Sequence, residues 1–251
     1  PKAVAARRAS VELLLSNHPK DCLTCEKSGN CALQDLATQL GIKRVNYEGP
    51  VSSSNVEIVT RTIRRNTAKC VLCTRCVGVC EHIQSIGAIS ASQRGFVTEI
   101  CEPRNCVNCG QCVQVCPTGA LVEKDDTDKI WAALADPTKH VVVQTAPSVR
   151  VTLGECFGMP VGSNVEGKMV AALRRIGFER VFDTDFAADV TIMEEATELL
   201  GRVTNGGVLP MITSCSPGWI KYCEHYYPEQ LGHLSSCKSP QQMFGALLKT
   251  F

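Results

Sequence analysis

The chain reads as a modular α+β protein whose first half is organised around cysteines and whose second half has the alternation of a parallel α/β sheet. Three observations carry that reading. Twelve of the sixteen cysteines lie between Cys22 and Cys116. Within that stretch the spacing C-x2-C-x2-C-x3-C occurs twice, and from about Trp131 strand-like and helix-like runs take over. A chain of 251 residues accommodates several small domains. The expected modules are residues 1–60, 61–128 and 129–251.

So many cysteines mean either a disulfide-rich secreted protein or an intracellular metalloprotein. No export signal, lipidation motif or apolar run of membrane-spanning length is present, so reducing, cytoplasmic surroundings fit better and no direct membrane span is expected. The formal net charge of +1 leaves no electrostatic footprint for nucleic acid. One basic patch, "RTIRRNTAK" at 61–69, reads as a solvated linker or as a docking surface for an acidic carrier. Pro1 is not an unprocessed start, and "SPQQMFGALLKTF" stops inside a helical pattern without a cap, so the sequence reads as an interior piece of a longer chain.

The first cysteine segment, "HPKDCLTCEKSGNC", supplies His18, Cys22, Cys25 and Cys31. Val11, Leu14 and Leu15 repeat at helical intervals before it, which places His18 where that helix ends. Three thiolates and an imidazole suit a tetrahedral zinc or a four-iron cluster, and the spacing alone leaves both open beside unliganded cysteines.

The two repeated runs are more specific. "CVLCTRCVGVC" gives Cys70, Cys73, Cys76 and Cys80, and "CVNCGQCVQVCP" gives Cys106, Cys109, Cys112 and Cys116 followed by Pro117. This is the spacing of a two-cluster bacterial ferredoxin, in which the fourth cysteine of each run serves the other cluster. Cys70, Cys73, Cys76 and Cys116 are therefore expected to hold one [4Fe-4S] cluster, and Cys106, Cys109, Cys112 and Cys80 a second. Gly78 and Gly110 are expected to let backbone N–H groups approach the clusters. Cys101 falls outside both spacings and reads as a buried apolar residue. Two clusters form a wire, and a wire needs two ends, so the histidine-containing segment is most economically a third iron–sulfur cluster.

In the second half, "HVVVQTA" (140–146) is a strand covered on both faces, and the following helix has Val165, Met169, Ala172, Leu173 and Ile176 inward, with Gly177 as its stop. "RVFDT" (180–184) is a second strand; the next helix is expected to turn Ile192, Ala196, Leu199 and Val203 inward. "GVLPMIT" (207–213) completes the order as a third strand, with Pro210 a weak point because it cannot donate a ladder bond. Parallel sheets place their sites beyond the carboxyl ends of the strands, so "TAPS" (145–148) and "TSCSPGW" (213–219) are expected at one edge. There Ser216 and Pro217 form an N-cap and first-turn pair, Cys215 lies in a field favouring thiolate, and Trp219, Cys223 and Tyr227 pack in the core. Glu195 and Glu198 share one side of their helix, as solvated surface or as a proton relay. No G-x-G-x-x-G or phosphate loop occurs, so this piece has no nucleotide site. A cysteine hydrolase would need neither the wire nor its clusters.

"TAPSVR", "TSCSPGW" and "SSCKSPQQMFG", preceded by "HPKDCLTCEKSGNC" and the two ferredoxin runs, closely resemble the multi-cluster [FeFe] hydrogenases, most of all the catalytic subunits of NAD(P)-linked or electron-bifurcating complexes. The resemblance implies reversible H2 oxidation and proton reduction at an H-cluster, a [4Fe-4S] cubane joined to a diiron unit, with electrons passing through the other clusters. The partners it implies are H2, protons, and ferredoxin or other redox subunits carrying flavin and NAD(P) sites. It implies that Ala146, Pro147 and Ser148, with Pro240 and Gln241, line the diiron pocket, and that Cys215, Glu195, Ser235 and Glu198 carry protons. Ser216 departs from the family, whose corresponding residue is a cubane-ligating cysteine. A serine alkoxide is a poor iron ligand, which leaves three alternatives: altered cubane ligation, Cys215 as ligand in place of proton carrier, or an electron-transfer subunit with a degenerate hydrogenase fold and no H2 chemistry. The other three cubane cysteines of the family have no counterpart in these 251 residues.

Overall fold

A computed structural model describes residues 1–49, 51, 56–58, 60–101 and 103–250, with 56–58 described by their backbone alone. Contacts divide the chain into two units, Pro1–Lys124 and Asp125–Phe251.

The first unit opens with α1 (Lys2–Ser16), which packs on α2 (Ala32–Gln39). Val11, Cys31 and Leu33 are buried between them, with Leu15 beside them and Leu14 outside. Val71, from the first ferredoxin run, joins the same cluster, so the two cysteine segments share packing. Strands β1 (Val56–Ile58) and β2 (Ile63–Asn66) pair antiparallel. The basic patch is therefore not a solvated linker: β2 is the middle strand of its sheet, with Ile63 and Arg65 buried on alternate positions. Asn66 Oδ1 then accepts the Ala68 N–H, starting the single turn Thr67–Lys69 that delivers Cys70.

Each ferredoxin run contains a short helix, α3 (Arg75–Gly78) in the first. A two-strand hairpin follows it, β3 (Ala91–Ser92) with β4 (Glu99–Ile100). The second run holds α4 (Gln111–Gln114) and leads to β5 (Leu121–Glu123), which returns to pair with β2 and completes the order β1-β2-β5. Cys101 is half-buried, and its carbonyl accepts from the Arg65 guanidinium at 3.1 Å.

The second unit contains α5 (Thr127–Leu134), β6 (Val142–Thr145), α6 (Val149–Thr152), α7 (Glu166–Ile176), β7 (Arg180–Asp183), α8 (Thr184–Asn205), α9 (Pro217–Tyr226) and α10 (Pro240–Thr250). β6 and β7 pair in parallel, Val142 opposite Arg180 through Thr145 opposite Asp183. Helix α7 ends at Gly177, whose φ of +123° is closed to other residues. Of its expected inward face, Val165 and Met169 are buried and Leu173 half-buried, whereas Ala172 and Ile176 are exposed.

Two expectations fail here. The segment 207–213 is not a full strand; it makes one isolated parallel bridge, Ile212 to Leu234, held by Ile212 N–H to His233 O (2.8 Å) and Ser235 N–H to Ile212 O (2.7 Å). Pro210 offers no N–H with which to extend it. On α8 the expected apolar face is exposed, and the inward line runs instead through Ala187, Thr191, Glu195, Glu198 and Arg202. Three polar members of that line are bonded: Thr191 to Ala187 O, and Glu198 to Arg202 and the 235–236 segment. Helix α10 packs along α8, with Phe244 edge-on to Phe182 at 5.3 Å. Among the described residues no helix is long and apolar enough to cross a membrane.

Candidate functional site

One half of the crossed pattern expected of the two ferredoxin runs has a geometric counterpart. Cys70, Cys73 and Cys76 from the first run and Cys116 from the second line one cavity, closed by Arg65, Ile100, Thr118 and Leu121. The backbone repeats as well. Leu72 (φ +52°) and Thr74 (φ +57°) stand where the second run has Asn108 (φ +59°) and Gly110 (φ +76°). Left-handed residues on both sides of the second cysteine curl each run around its own centre. Three of the four are not glycine, a cost that a cluster-binding loop explains. Gly78, by contrast with Gly110, lies in ordinary helical conformation.

Cys80 and Cys112 are buried with Cys76 and Cys116 in one core, against which Cys106 packs; Cys109 is exposed. Burial pushes the Cys112 thiol up to about 12, with the neighbouring sulfurs of Cys106, Cys109 and Cys76 adding to it. Burial likewise takes Cys76 to about 11, helped by Cys70. These groups are neutral thiols in the metal-free chain, and binding iron releases their protons.

In the first segment, α1 ends at Ser16 and His18 follows at once, its N–H bonded to Leu15 O. Its Nδ1 lies 3.1 Å from Pro19 O, which selects the tautomer with the proton on Nδ1. Nε2 is then a lone pair, and it is buried with no hydrogen-bond partner. A buried acceptor left without a partner is costly, and a metal ion satisfies it. Cys25 is half-buried and Cys31 buried, whereas Cys22 is exposed. Gly119 passes so close that a Cβ there would stand 3.1 Å from Cys25 Sγ. Among the described residues no three His, Cys, Asp or Glu side chains converge as tightly as a single metal ion requires. The four-cysteine cavity has the donor set of a [4Fe-4S] cluster, and the unpartnered His18 Nε2 is available to a metal.

In the second unit the sequence-derived pocket is only partly gathered. Ala146, Pro147 and Ser148 follow β6 directly and turn into α6. Gln144 Nε2 donates to Gln241 O at 3.0 Å, which sets the start of α10, and with it Pro240 and Gln241, beside the end of β6. No hydrogen bond or ion pair among the described residues joins 145–148 to 213–219. Ser216 occupies the N-cap position of α9 with Pro217 after it, but its side chain makes no capping bond, contrary to expectation. Cys215 is exposed. Cys223 is 1% exposed and packs as expected, whereas Trp219 and Tyr227 are exposed. These residues alone do not assemble a ligand set for a cubane.

Of the expected proton carriers, Ser235 and Glu198 meet: Ser235 Oγ donates to Glu198 Oε2 at 2.8 Å. Glu195 is half-buried on the same side of α8, and no hydrogen bond links it to either. Sequence reasoning missed Arg202, one turn further along. It donates to Glu198 at 2.6 Å and to the carbonyls of Val208, Gly232 and Leu234. Desolvation pushes the Glu198 carboxyl up, but hydrogen bonds from Ser235, Arg202 and Ser236 outweigh it and hold the group below its ordinary value. The i,i+4 spacing of a glutamate and an arginine was the available signal.

Three stretches of the chain match known protein families. Residues 139–251 match the model "Iron only hydrogenase large subunit, C-terminal domain". Residues 69–120 match "4Fe-4S dicluster domain", and 7–46 match "NADH-ubiquinone oxidoreductase-G iron-sulfur binding region". The NADP-reducing hydrogenase subunit HndD of Solidesulfovibrio fructosivorans is 49% identical over 263 aligned residues, covering 100% of this chain and 45% of that protein. Iron hydrogenase 1 of Clostridium pasteurianum is 41% identical over 252, covering 97% and 44%. The periplasmic [Fe] hydrogenase large subunit of Nitratidesulfovibrio vulgaris is 43% identical over 180, covering 58% of this chain and 43% of that protein. The chain belongs to the multi-domain [FeFe] hydrogenase family, is closely related to the large subunits of NAD(P)-linked hydrogenases, and spans less than half the length of these three hydrogenases.

Proposed function

We propose that the full-length protein is the catalytic subunit of an [FeFe] hydrogenase, interconverting H2 with protons and electrons, and that this chain carries its electron relay and the first part of its catalytic domain. The observation that carries the relay is Cys116 of the second run standing with Cys70, Cys73 and Cys76 around one cavity. Bound [4Fe-4S] clusters supply one-electron transfer. The chain's part is to hold them: one on His18, Cys22, Cys25 and Cys31, one on Cys70, Cys73, Cys76 and Cys116, one on Cys106, Cys109, Cys112 and Cys80. The modules are 1–60, 61–128 and 129–251.

In the last module Ala146, Pro147, Ser148, Pro240 and Gln241 line the diiron pocket, and Cys215, Glu195, Ser235 and Glu198 move protons. The Ser235–Glu198 contact supports the inner part of that path. A redox subunit with flavin and NAD(P) sites, or ferredoxin, exchanges the electrons in the cytoplasm; similarity to the NADP-reducing hydrogenase subunit HndD supports the first. The test is the full-length, matured protein. CO and cyanide bands in its infrared spectrum together with H2 turnover on an artificial donor uphold the reading, and their joint absence refutes it. Ser216 favours a second reading, an electron-transfer subunit with a degenerate hydrogenase fold, for which the same protein has ferredoxin-type clusters and neither signal.

A further inference from the structure

The basic segment before the first ferredoxin run contains two cations that are not at the surface: Arg65, which bonds the carbonyls of Ile100 and Cys101, and Lys69. Lys69 has a side chain only 12% exposed, and its Nζ sits between Asp21 Oδ2 (3.2 Å) and Cys25 Sγ (3.4 Å). Three features fix it there. Its own carbonyl accepts from Thr118 Oγ1 at 2.7 Å, and Thr118 is 1% exposed. Gly119 has no side chain where a Cβ would meet Cys25 Sγ at 3.1 Å and Lys69 Cδ at 3.6 Å, so the lysine and the cysteine share a groove that a side chain at 119 would crowd. The next residue is Cys70, so the segment that anchors the lysine also carries a sulfur of the second centre.

We infer that Lys69 is a positioning residue of the histidine-containing cluster: through its contact with Cys25 it sets that cluster's reduction potential, and Asp21 attenuates it. This rests on the reading that His18, Cys22, Cys25 and Cys31 hold a four-iron cluster. The physical reason is charge. Reduction adds an electron to a centre already carrying thiolate charge, and a cation hydrogen-bonded to one of its sulfurs, screened from water, favours the reduced form. An ordinary solvated lysine would be too strongly screened to do so. Asp21 carries the opposite charge at a similar distance from the ammonium, so the two residues pull the potential in opposite directions.

The experiment is a redox titration of the full-length, cluster-loaded protein, followed by electron paramagnetic resonance, on Lys69→Met, Lys69→Arg and Asp21→Asn. Lys69→Met lowers the reduced-to-oxidised ratio of the histidine-ligated cluster about tenfold at fixed potential, a shift of about −59 mV for one electron. Asp21→Asn shifts it the other way, Lys69→Arg stays near the parent, and the two ferredoxin-type signals hold. A purely structural role gives loss of iron in Lys69→Met and Asp21→Asn alike, without opposite shifts, and overturns the proposal. Full cluster content with no shift in Lys69→Met overturns it while leaving the four-iron reading intact. A parent protein that binds zinc and no iron at this segment overturns both.

Discussion

The two units bury different things. In the first, cysteines share the main core with aliphatic residues: Cys76, Cys80, Cys112 and Cys116 are buried there beside Ile63, Ile89, Val113 and Leu121, and two of them, Cys76 and Cys116, line the four-cysteine cavity. In the second, apolar buried residues such as Val165, Met169 and Phe244 are mixed with the hydroxyl groups of Thr191, Ser214 and Ser235, while Phe186, Ile192, Met193 and Leu200 of α8 are each more than half exposed. A ligand set drawn from runs of a dozen residues gathers within a small unit. A pocket assembled from strand ends and helix starts across a larger domain does not gather in a chain spanning less than half of its full-length relatives.

Removing iron from the cluster-loaded chain with a chelator under reducing conditions should have the largest effect on that contrast. The first unit loses its cooperative structure, because metal binding supplies a large part of its folding free energy, whereas the second holds. Hydrogen exchange reads the difference: amides of α3 and α4 become unprotected and those of α8 do not. Equal loss in both units would erase the distinction.

Within the second unit, Phe244→Ala should cost about 3–5 kcal/mol in denaturant unfolding, since it empties the site between α8, α10 and β7. Arg202→Met should cost about 1.5–3 kcal/mol by removing the charged donor from Glu198, which keeps its bonds from Ser235 and Ser236. The acid limb gives the sign of the Glu198 contribution. Its folded value lies below the ordinary 4.5, so its stabilisation is present above that pH and is lost as pH falls through the lower folded value. Glu198→Gln should flatten that part of the stability profile. Ile192→Ala, on the exposed face, should change stability by less than about 0.5 kcal/mol. A larger loss would mean that this face is covered.

Legibility in the sequence follows the same division. The ferredoxin runs are readable because their ligands are local and their spacing repeats, and α7, β6 and β7 because periodicity and a terminal glycine mark them. The orientation of α8 was not readable. Hydrophobicity pointed to Ile192, Ala196, Leu199 and Val203, but the buried line contains Thr191, Glu198 and Arg202, whose partners lie on residues 187, 208 and 232–236, invisible to a pattern of apolar spacing. Lys69 and Gly119 were missed for a related reason. A basic run reads as surface until the strand that turns it inward is seen, and a glycine of ordinary φ shows its purpose only when Cys25 is found against it.

The central claim is that the two ferredoxin runs exchange their fourth cysteines. Mössbauer and electron paramagnetic resonance spectra of Cys116→Ala and Cys80→Ala test it most directly, with Cys73→Ala and Cys109→Ala as references. The predicted result is that Cys116→Ala perturbs the same cluster as Cys73→Ala, and Cys80→Ala the same one as Cys109→Ala. Pairing of Cys116 with Cys109 and of Cys80 with Cys73 would contradict it.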